Sequence, residues 1–190
     1  MRAVLISIRP EWVNKILSGE KTLEIRKTRP NMGTSFKCYI YCTIDGIKKM
    51  PRDYITENFE RGRVIGEFVC DKITCLTHIG CSGSPGIWLA AMKDRYTVDD
   101  SFDFSGSCLT TAQIEKYLDG EGGYAWHISK LKIYDDPKQL EDFRKYCDND
   151  WYCESCAMYR EHDGYCGNKS LQLRRPPQSW RYVRELEGEQ

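Results

Sequence analysis

The first 27 residues alternate between apolar and polar positions in a way that predicts three consecutive elements. Residues 4–8 are a short apolar run rich in β-branched side chains, which is typical of a strand. Pro10 then suits the first turn of a helix, whose apolar positions recur at helical spacing: Trp12, Val13, Ile16 and Leu17. Gly19 is placed to end this helix in the left-handed conformation. We therefore expect a strand–helix–strand unit over residues 4–27.

The second strand of this unit, residues 22–27, has one apolar face and one charged face. Leu23 and Ile25 point one way, and the opposite face holds Thr22, Glu24 and Arg26. A half-buried strand with charges of both signs is therefore predicted, with Lys21 in the tight connection just before it.

Strands dominate the rest of the pattern, with short helices between them. The predicted strands are residues 36–43, 63–76 (with Gly66 as a bulge or point of close approach), 124–134 and 179–183. The predicted helices are a short one after Asp53, another over residues 87–93, and one opened by a capping box at residues 110–113 and ending at Leu118. This order favours an α+β fold built on a small, mostly antiparallel β-barrel with short flanking helices.

Composition limits the chain to one domain, or one domain with a small appendage. It has 190 residues, 41% hydrophobic and 29% charged, which is typical of a folded globular protein. The formal net charge is zero, but residues 1–69 hold 13 Lys and Arg against 8 Asp and Glu. This basic portion would attract phosphate or other anions, unless its charges only face solvent. With no apolar run of membrane-spanning length and no signal peptide, we expect a cytoplasmic protein.

A polar site is predicted on the second strand. Lys21, Glu24 and Arg26 lie close in sequence, and Glu67 lies in the long strand at residues 63–76. If the two strands are neighbours, the four side chains converge and offer donors and acceptors that suit a nucleobase edge, an amide or a phosphate. The alternative is that Glu24–Arg26 and Lys21–Glu67 are weak surface ion pairs.

The same segment resembles the ASCH domain, a member of the PUA-like superfamily of small β-barrels. The hallmark of that family is a helix followed by G-x-K-T-x-E-x-R, which stands here as Gly19-Glu20-Lys21-Thr22-Leu23-Glu24-Ile25-Arg26. Gly66-Glu67, Tyr124-Ala125-Trp126-His127-Ile128 and the closing Pro176-Pro177-Gln178-Ser179-Trp180 are similar to further parts of the family. The resemblance implies a barrel over residues 1–146, closed by a strand within residues 170–190, which end in a polar tail.

The resemblance also implies a function, namely binding of RNA or of a nucleotide-like ligand. The site would be lined by Lys21, Glu24, Arg26 and Glu67. Arg9 would add a phosphate contact, unless its side chain is only solvated. A base would stack on Tyr124 and Trp126, unless these two rings pack in the core. Small relatives hydrolyse N4-acetylcytidine with a Lys, a Thr and a Glu; Lys21 and Glu67 match, but Glu24 stands in place of the Thr. Other relatives are ribonucleases, so hydrolysis of RNA or of a modified nucleoside is the alternative function.

Residues 147–169 form a cysteine-rich insertion that predicts a metal site. Cys153 and Cys156 form a C-x-x-C pair, whose spacing fits two thiolates to one tetrahedral zinc ion, and Cys147 and Cys166 would complete the site. His162 is a competing fourth ligand. A redox-active pair or a disulfide is the alternative, but a reducing compartment and a polar segment with few apolar residues favour structural zinc. The other six cysteines are expected to be buried thiols.

Overall fold

A computed structural model describes residues 2–44, 61–80, 87–147 and 168–185. The two described α-helices are Pro10–Leu17 (α1) and Thr111–Leu118 (α2). The described strands are Ala3–Ile8 (β1), Leu23–Arg26 (β2), Phe36–Cys42 (β3), Val64–Cys70 (β4), Ile73–Gly80 (β5), Ile87–Met92 (β6), Gly123–His127 (β7), Ser129–Lys138 (β8), Phe143–Lys145 (β9) and Trp180–Glu185 (β10). None of the described helices is long and apolar enough to cross a membrane.

These strands form two sheets, which confirms the α+β class. The larger sheet has the order β8-β4-β3-β1-β10-β9, and the smaller one has the order β2-β7-β5-β6. Among the described strands, β1 and β3 pair in parallel and the other pairings are antiparallel. Within the described ranges the two sheets do not join into a closed barrel.

The main core lies between α1 and strands of both sheets. Val13 and Ile16, on the apolar face of α1, are fully buried in it. Trp126 of β7 is fully buried in the same cluster, with its ring 5.8 Å from that of Phe36 in an edge-to-face arrangement. Because β7 brings this large side chain across to β3, the smaller sheet is anchored against the larger one.

Both sequence-predicted ends of α1 and the start of α2 are confirmed. Pro10 opens α1 and Gly19 follows it with a φ of +77°. At α2 the Thr110 hydroxyl accepts a hydrogen bond from the Gln113 backbone, and the Gln113 side chain accepts one from the Thr110 backbone. Local capping chemistry therefore fixes where these helices begin and end. The helix predicted after Asp53 lies outside the described residues.

Two long predicted strands are each divided between the sheets. The run at residues 63–76 is β4 in the larger sheet and β5 in the smaller one, separated at Asp71 and Lys72. The run at 124–134 is β7 and β8, divided at Ile128, and β8 continues beyond Pro137 to Lys138. An apolar run reads the same whether or not the chain changes sheets within it, so the sequence pattern could not show the division.

The helix predicted over residues 87–93 is wrong, because this segment is the strand β6. It pairs antiparallel with β5, in the register Cys75 to Met92 and Leu76 to Ala91. Leu89 and Ala91, two residues apart, are both buried in a core cluster with Leu118 of α2. Pairing with β5 and burial in the core, where Ala90 is buried as well, override the helix-favouring Leu and Ala content.

Replacement of Gly66 by Ala is expected to destabilise the protein by about 2 kcal/mol, as overpacking of a close contact does. Gly66 lies where the β4 registers shift, and a Cβ there would meet the Lys132 backbone oxygen at 2.4 Å. The matched control is Gly33→Ala, because a Cβ at Gly33 meets nothing within 4 Å. Urea unfolding of the two variants and the wild type measures the difference; equal midpoints for both variants would contradict this account of β4.

Candidate functional site

A cleft opens where the end of β1 meets β2, α2 and the segment that leads into β10. Its volume is about 850 Å³. The residues that line it come from distant parts of the chain: Ser7, Ile8, Arg9, Trp12, Lys21, Glu24, Ile25, Arg26, Tyr41, Thr43, Ile44, Leu109, Gln113, Tyr117, Pro176, Pro177, Gln178 and Ser179. The cleft therefore lies at the junction of the two sheets.

A buried ion triad of Lys21, Glu24 and Arg26 forms one wall of the cleft. One carboxylate oxygen of Glu24 lies 3.2 Å from Lys21 Nζ, and the other lies 2.9 Å from Arg26 Nη2. The three residues are only 3%, 7% and 7% exposed. The alternation that placed Glu24 and Arg26 on one face is confirmed, but these are not surface ion pairs.

The two cations of the triad also hold neighbouring segments in place. Lys21 Nζ donates hydrogen bonds of 2.8 Å to the backbone oxygens of Leu23 and Ser107. Arg26 Nη2 donates to the Ser7 backbone oxygen at 2.7 Å, and its Nη1 donates to Ser179 Oγ at 3.3 Å. The Glu24 carboxylate and the backbone oxygens of Leu23 and Ser107 occupy all three N–H bonds of Lys21. Lys21 is thus a structural cation rather than a free amine.

The triad has one more positive than negative charge, and Arg9 adds another at the cleft. The Arg9 side chain is 71% exposed and lies 3.9 Å from the Glu11 carboxylate, a long and solvated contact. Arg26 Nε and Thr43 Oγ1 are buried and have no hydrogen-bond partner among the described residues. Native proteins seldom leave such groups unsatisfied, and a bound ligand or water commonly supplies the partner. The cleft is therefore suited to an anion with hydrogen-bond acceptors.

Aromatic rings line the cleft as well. Trp12 of α1 lies beneath Lys21 Nζ, which is 5.5 Å from the centroid of the Trp12 ring. Tyr117 of α2 is 41% exposed. These rings give the cleft flat apolar surfaces beside its charged wall, the combination that nucleobases and their phosphates need.

Solved structures with the same fold are known, although neither a family model nor a curated protein matches the chain. The crystal structure of ASCH from Zymomonas mobilis matches with a TM-score of 0.51 and 18% identity, over 96% of this chain and 87% of that chain. A tyrosine-to-phenylalanine and a serine-to-alanine mutant of that protein match equally well, each with a TM-score of 0.51 and 18% identity over 96% of this chain, covering 90% and 88% of theirs. The chain has the fold of these ASCH structures.

This ASCH-type fold brings four of the seven predicted ligand-binding residues to the cleft: Arg9, Lys21, Glu24 and Arg26. Glu67 lies elsewhere, because β2 and β4 belong to different sheets and are not neighbours. Its carboxylate accepts a 2.5 Å hydrogen bond from the Tyr134 hydroxyl and lies 3.0 Å from Lys37 Nζ. Burial alone would raise the pKa of Glu67, but these contacts and the charge of Lys132 together lower it. The convergence expected for Glu67 is therefore not observed.

The two aromatic residues predicted to stack a base are also outside the cleft lining. Trp126 is fully buried in the core, so its rings have no free face for a base. Tyr124 packs partly buried against the same core, and the guanidinium carbon of Arg29 lies 5.7 Å from its ring centroid. The alternative interpretation of core packing is thus the one that the structure supports for Trp126.

The structure adds cleft residues that the sequence pattern did not single out. Trp12 reads as part of an apolar helix face, and Tyr117 as an ordinary position on an amphipathic helix. The sequence did single out one further part of the cleft: the closing segment with Pro176, Pro177, Gln178 and Ser179 lines it. That Ser7 lines the cleft is evident only from the tertiary structure.

Most of the predicted zinc site lies outside the described residues. Cys153, Cys156, Cys166 and the competing His162 are not described, while Cys147 is a free, partly exposed thiol at the end of a described range. Over residues 2–44, 61–80, 87–147 and 168–185, no group of three or more His, Cys, Asp or Glu side chains is placed to hold a metal ion. The zinc site and the insertion at residues 147–169 stay predictions.

Glu24→Gln is expected to destabilise the fold by about 3 kcal/mol, because it leaves two buried cations without their shared carboxylate. Chemical unfolding measures this loss. The matched control is Glu20→Gln, which breaks the solvent-exposed pair with Lys15 and should leave the unfolding midpoint unchanged. A stability equal to wild type in Glu24→Gln would show that the triad does not hold the sheets together.

Proposed function

We propose that the protein binds RNA or a nucleotide-like ligand in this cleft. The observation that carries the proposal is the buried triad, whose excess positive charge faces a cleft that also contains aromatic rings. A charge held in a poorly solvated wall acts on a ligand more strongly than the same charge on an open surface. A phosphate group near Arg9 and the triad, with its base against Tyr117 or Trp12, would use both properties.

The size of the cleft supports a ligand of nucleotide dimensions. Its volume of about 850 Å³ lies within the range typical of small-molecule sites. The polar atoms around it are of two kinds: guanidinium donors from Arg9 and Arg26, and the hydroxyl of Thr43. A base edge and a phosphate each need such donors, whereas an apolar ligand would leave them unpaired.

Binding is better supported than hydrolysis of N4-acetylcytidine or of RNA. The three N–H bonds of Lys21 are already used by Glu24 and two backbone oxygens. Glu24, which replaces the Thr of the acetyl-removing relatives, is held between two cations, and Glu67 is engaged with Tyr134 and Lys37. A general base needs an available proton-accepting atom within reach of the substrate. Both oxygens of Glu24 are already paired with cations, and Glu67 does not line the cleft.

Ribonucleoside monophosphates are expected to bind more tightly than the matching nucleosides, with a difference that shrinks as salt rises. Tyr117→Ala should weaken binding roughly 10-fold through loss of base stacking. The control is Tyr96→Ala, because Tyr96 is even more exposed, at 84%, and does not line the cleft. Isothermal titration calorimetry measures all of these affinities.

Two results would contradict this function. If Tyr117→Ala and Tyr96→Ala weakened ligand binding equally, the ligand would not bind in the cleft. Release of cytidine from N4-acetylcytidine, or scission of labelled RNA, that disappears in Lys21→Ala would replace binding by hydrolysis. We expect neither substrate to change during incubation with the wild-type protein.

We also propose that Cys147, Cys153, Cys156 and Cys166 hold a structural zinc ion. The support is their number and the C-x-x-C spacing within a polar segment, which has few apolar side chains to bury. Four protein thiolates would leave no open coordination position, so this ion would stabilise the insertion rather than react.

Purified protein is expected to contain one equivalent of zinc, and a chelator should lower its melting temperature, because metal binding to a closed thiolate site contributes folding free energy. Elemental analysis and thermal melting with and without chelator measure both effects. Cys156→Ser should abolish zinc retention, whereas Cys75→Ser, at an exposed cysteine on β5, should not. Metal-free protein with unchanged melting would refute the site.

A further inference from the structure

Three cations each face an aromatic ring and lack a carboxylate partner among the described residues: two follow the cleft residue Arg26 in the chain, and Arg2 lies at the other end of β1 from the cleft. Lys27 Nζ lies 6.0 Å from the ring centroid of Tyr117, and the Arg29 guanidinium carbon lies 5.7 Å from that of Tyr124. The Arg2 guanidinium carbon lies 3.6 Å from the ring centroid of Tyr182. Lys15, by contrast, is an exposed cation that pairs with an acid, Glu20.

These three pairs lie along one continuous path that begins at the cleft. Arg26 and Ser179 both line the cleft. Residues 27–31 follow Arg26 in the chain and β10 follows Ser179, so each segment continues from a cleft residue. The two segments are joined by hydrogen bonds from Trp180 Nε1 to Thr28 Oγ1, 3.0 Å, and from the Asn31 backbone N–H to the Tyr182 hydroxyl, 2.6 Å. The surface that they form is called the basic strip below.

Up to Arg184, the sequence around the basic strip carries positive charge alone; Glu185, the last residue of β10, contacts Tyr39 and Lys138. Residues 25–36 contain three Lys or Arg and no Asp or Glu, and residues 171–184 contain four Arg and no Asp or Glu. Lys27 and Arg29 are exposed to solvent. Because the whole chain has equal numbers of acidic and basic residues, this local excess is not a consequence of composition.

We propose that the basic strip binds the nucleotides that follow the one held in the cleft, so that the ligand is a single-stranded nucleic acid rather than a free nucleotide. The inference rests on the proposed function of the cleft. Unpaired cations attract successive phosphates, and the exposed Arg29 guanidinium over Tyr124 presents a flat face to an unpaired base, whereas Arg2, between Tyr146 and Tyr182, contributes charge. A duplex keeps its bases stacked inside and cannot use this face, which is why a single strand fits better.

The test compares a labelled ten-nucleotide oligouridylate with uridine monophosphate by fluorescence anisotropy and competition. We expect the oligonucleotide to bind at least 10-fold more tightly. The double variant Arg2→Gln and Arg29→Gln should lose most of that advantage. Its slope of log affinity against log salt should be shallower by roughly 1.4, from about 0.7 for each lost phosphate contact on a single strand.

Arg95→Gln is the matched control. The Arg95 guanidinium also faces a ring, 5.6 Å from the centroid of Tyr96, but it lies beyond β6, at the opposite edge of the smaller sheet from β2. This variant should bind the oligonucleotide as the wild type does. Thermal melting shows whether each variant is folded, and the single variant Arg29→Gln, at an exposed position, provides the same readout should Arg2→Gln unfold the protein.

The basic strip is refuted if the oligonucleotide binds no more tightly than the monophosphate, or if Arg95→Gln weakens it as much as the double variant does. Displacement by polyglutamate as effective as displacement by unlabelled RNA would also refute it, in favour of an acidic protein partner. Oligonucleotide binding that depends on Arg2 and Arg29, without any monophosphate binding, would support the strip and refute the cleft. An arm with the matching oligodeoxynucleotide distinguishes RNA from DNA, and tight binding of either supports a single-strand ligand.

Discussion

One carboxylate, that of Glu24, is shared by two buried cations, and the arrangement of the two sheets around the cleft depends on it. Lys21 and Arg26 each contact Glu24 and each also hold backbone oxygens of other segments. Without the carboxylate, two like charges would lie together in a poorly solvated place, which is strongly unfavourable. The same ion triad therefore serves as an internal support and as the wall of the cleft.

This double role is why we propose binding rather than a reaction at the site. A residue that performs proton transfer needs an atom free to take or give a proton. Here the polar atoms of Lys21 and Glu24 are committed to each other and to the backbone, which gives a rigid charged surface at a fixed position. Rigid, preoriented charges favour recognition, because little ordering of side chains remains to be done when a ligand enters.

The sequence predicted the local structure well where local chemistry decides it. Pro10, Gly19 and the Thr110–Gln113 capping box have the expected positions at their helices. The alternation along β2 correctly placed Glu24 and Arg26 on one face. It could not show that this face is buried, because the segment that covers it, which ends at Ser179, lies about 150 residues further along the chain.

Predictions that needed long-range pairing were less successful. Glu67 was expected beside Lys21 on the assumption that two strands are neighbours, and strand order is a property of the whole fold. The position of Trp126 could not be predicted for a similar reason. The sequence pattern of an alternating strand is the same whether an aromatic residue in it faces a ligand or, as Trp126 does, the core. Residues 87–92 pair as a strand because β5 offers an edge to them, which their own composition does not reveal.

The passage of the chain between the sheets has a mechanical consequence. The chain crosses to the smaller sheet for β2 and back for β3, then leaves the larger sheet again at Asp71 and returns to it at Ile128. Two of these connections are very short, namely residues 71–72 and residue 128, so separating the sheets would strain them. The described fold should therefore act as a single cooperative unit, in which a disturbance at the far edge of one sheet is felt at the cleft between them.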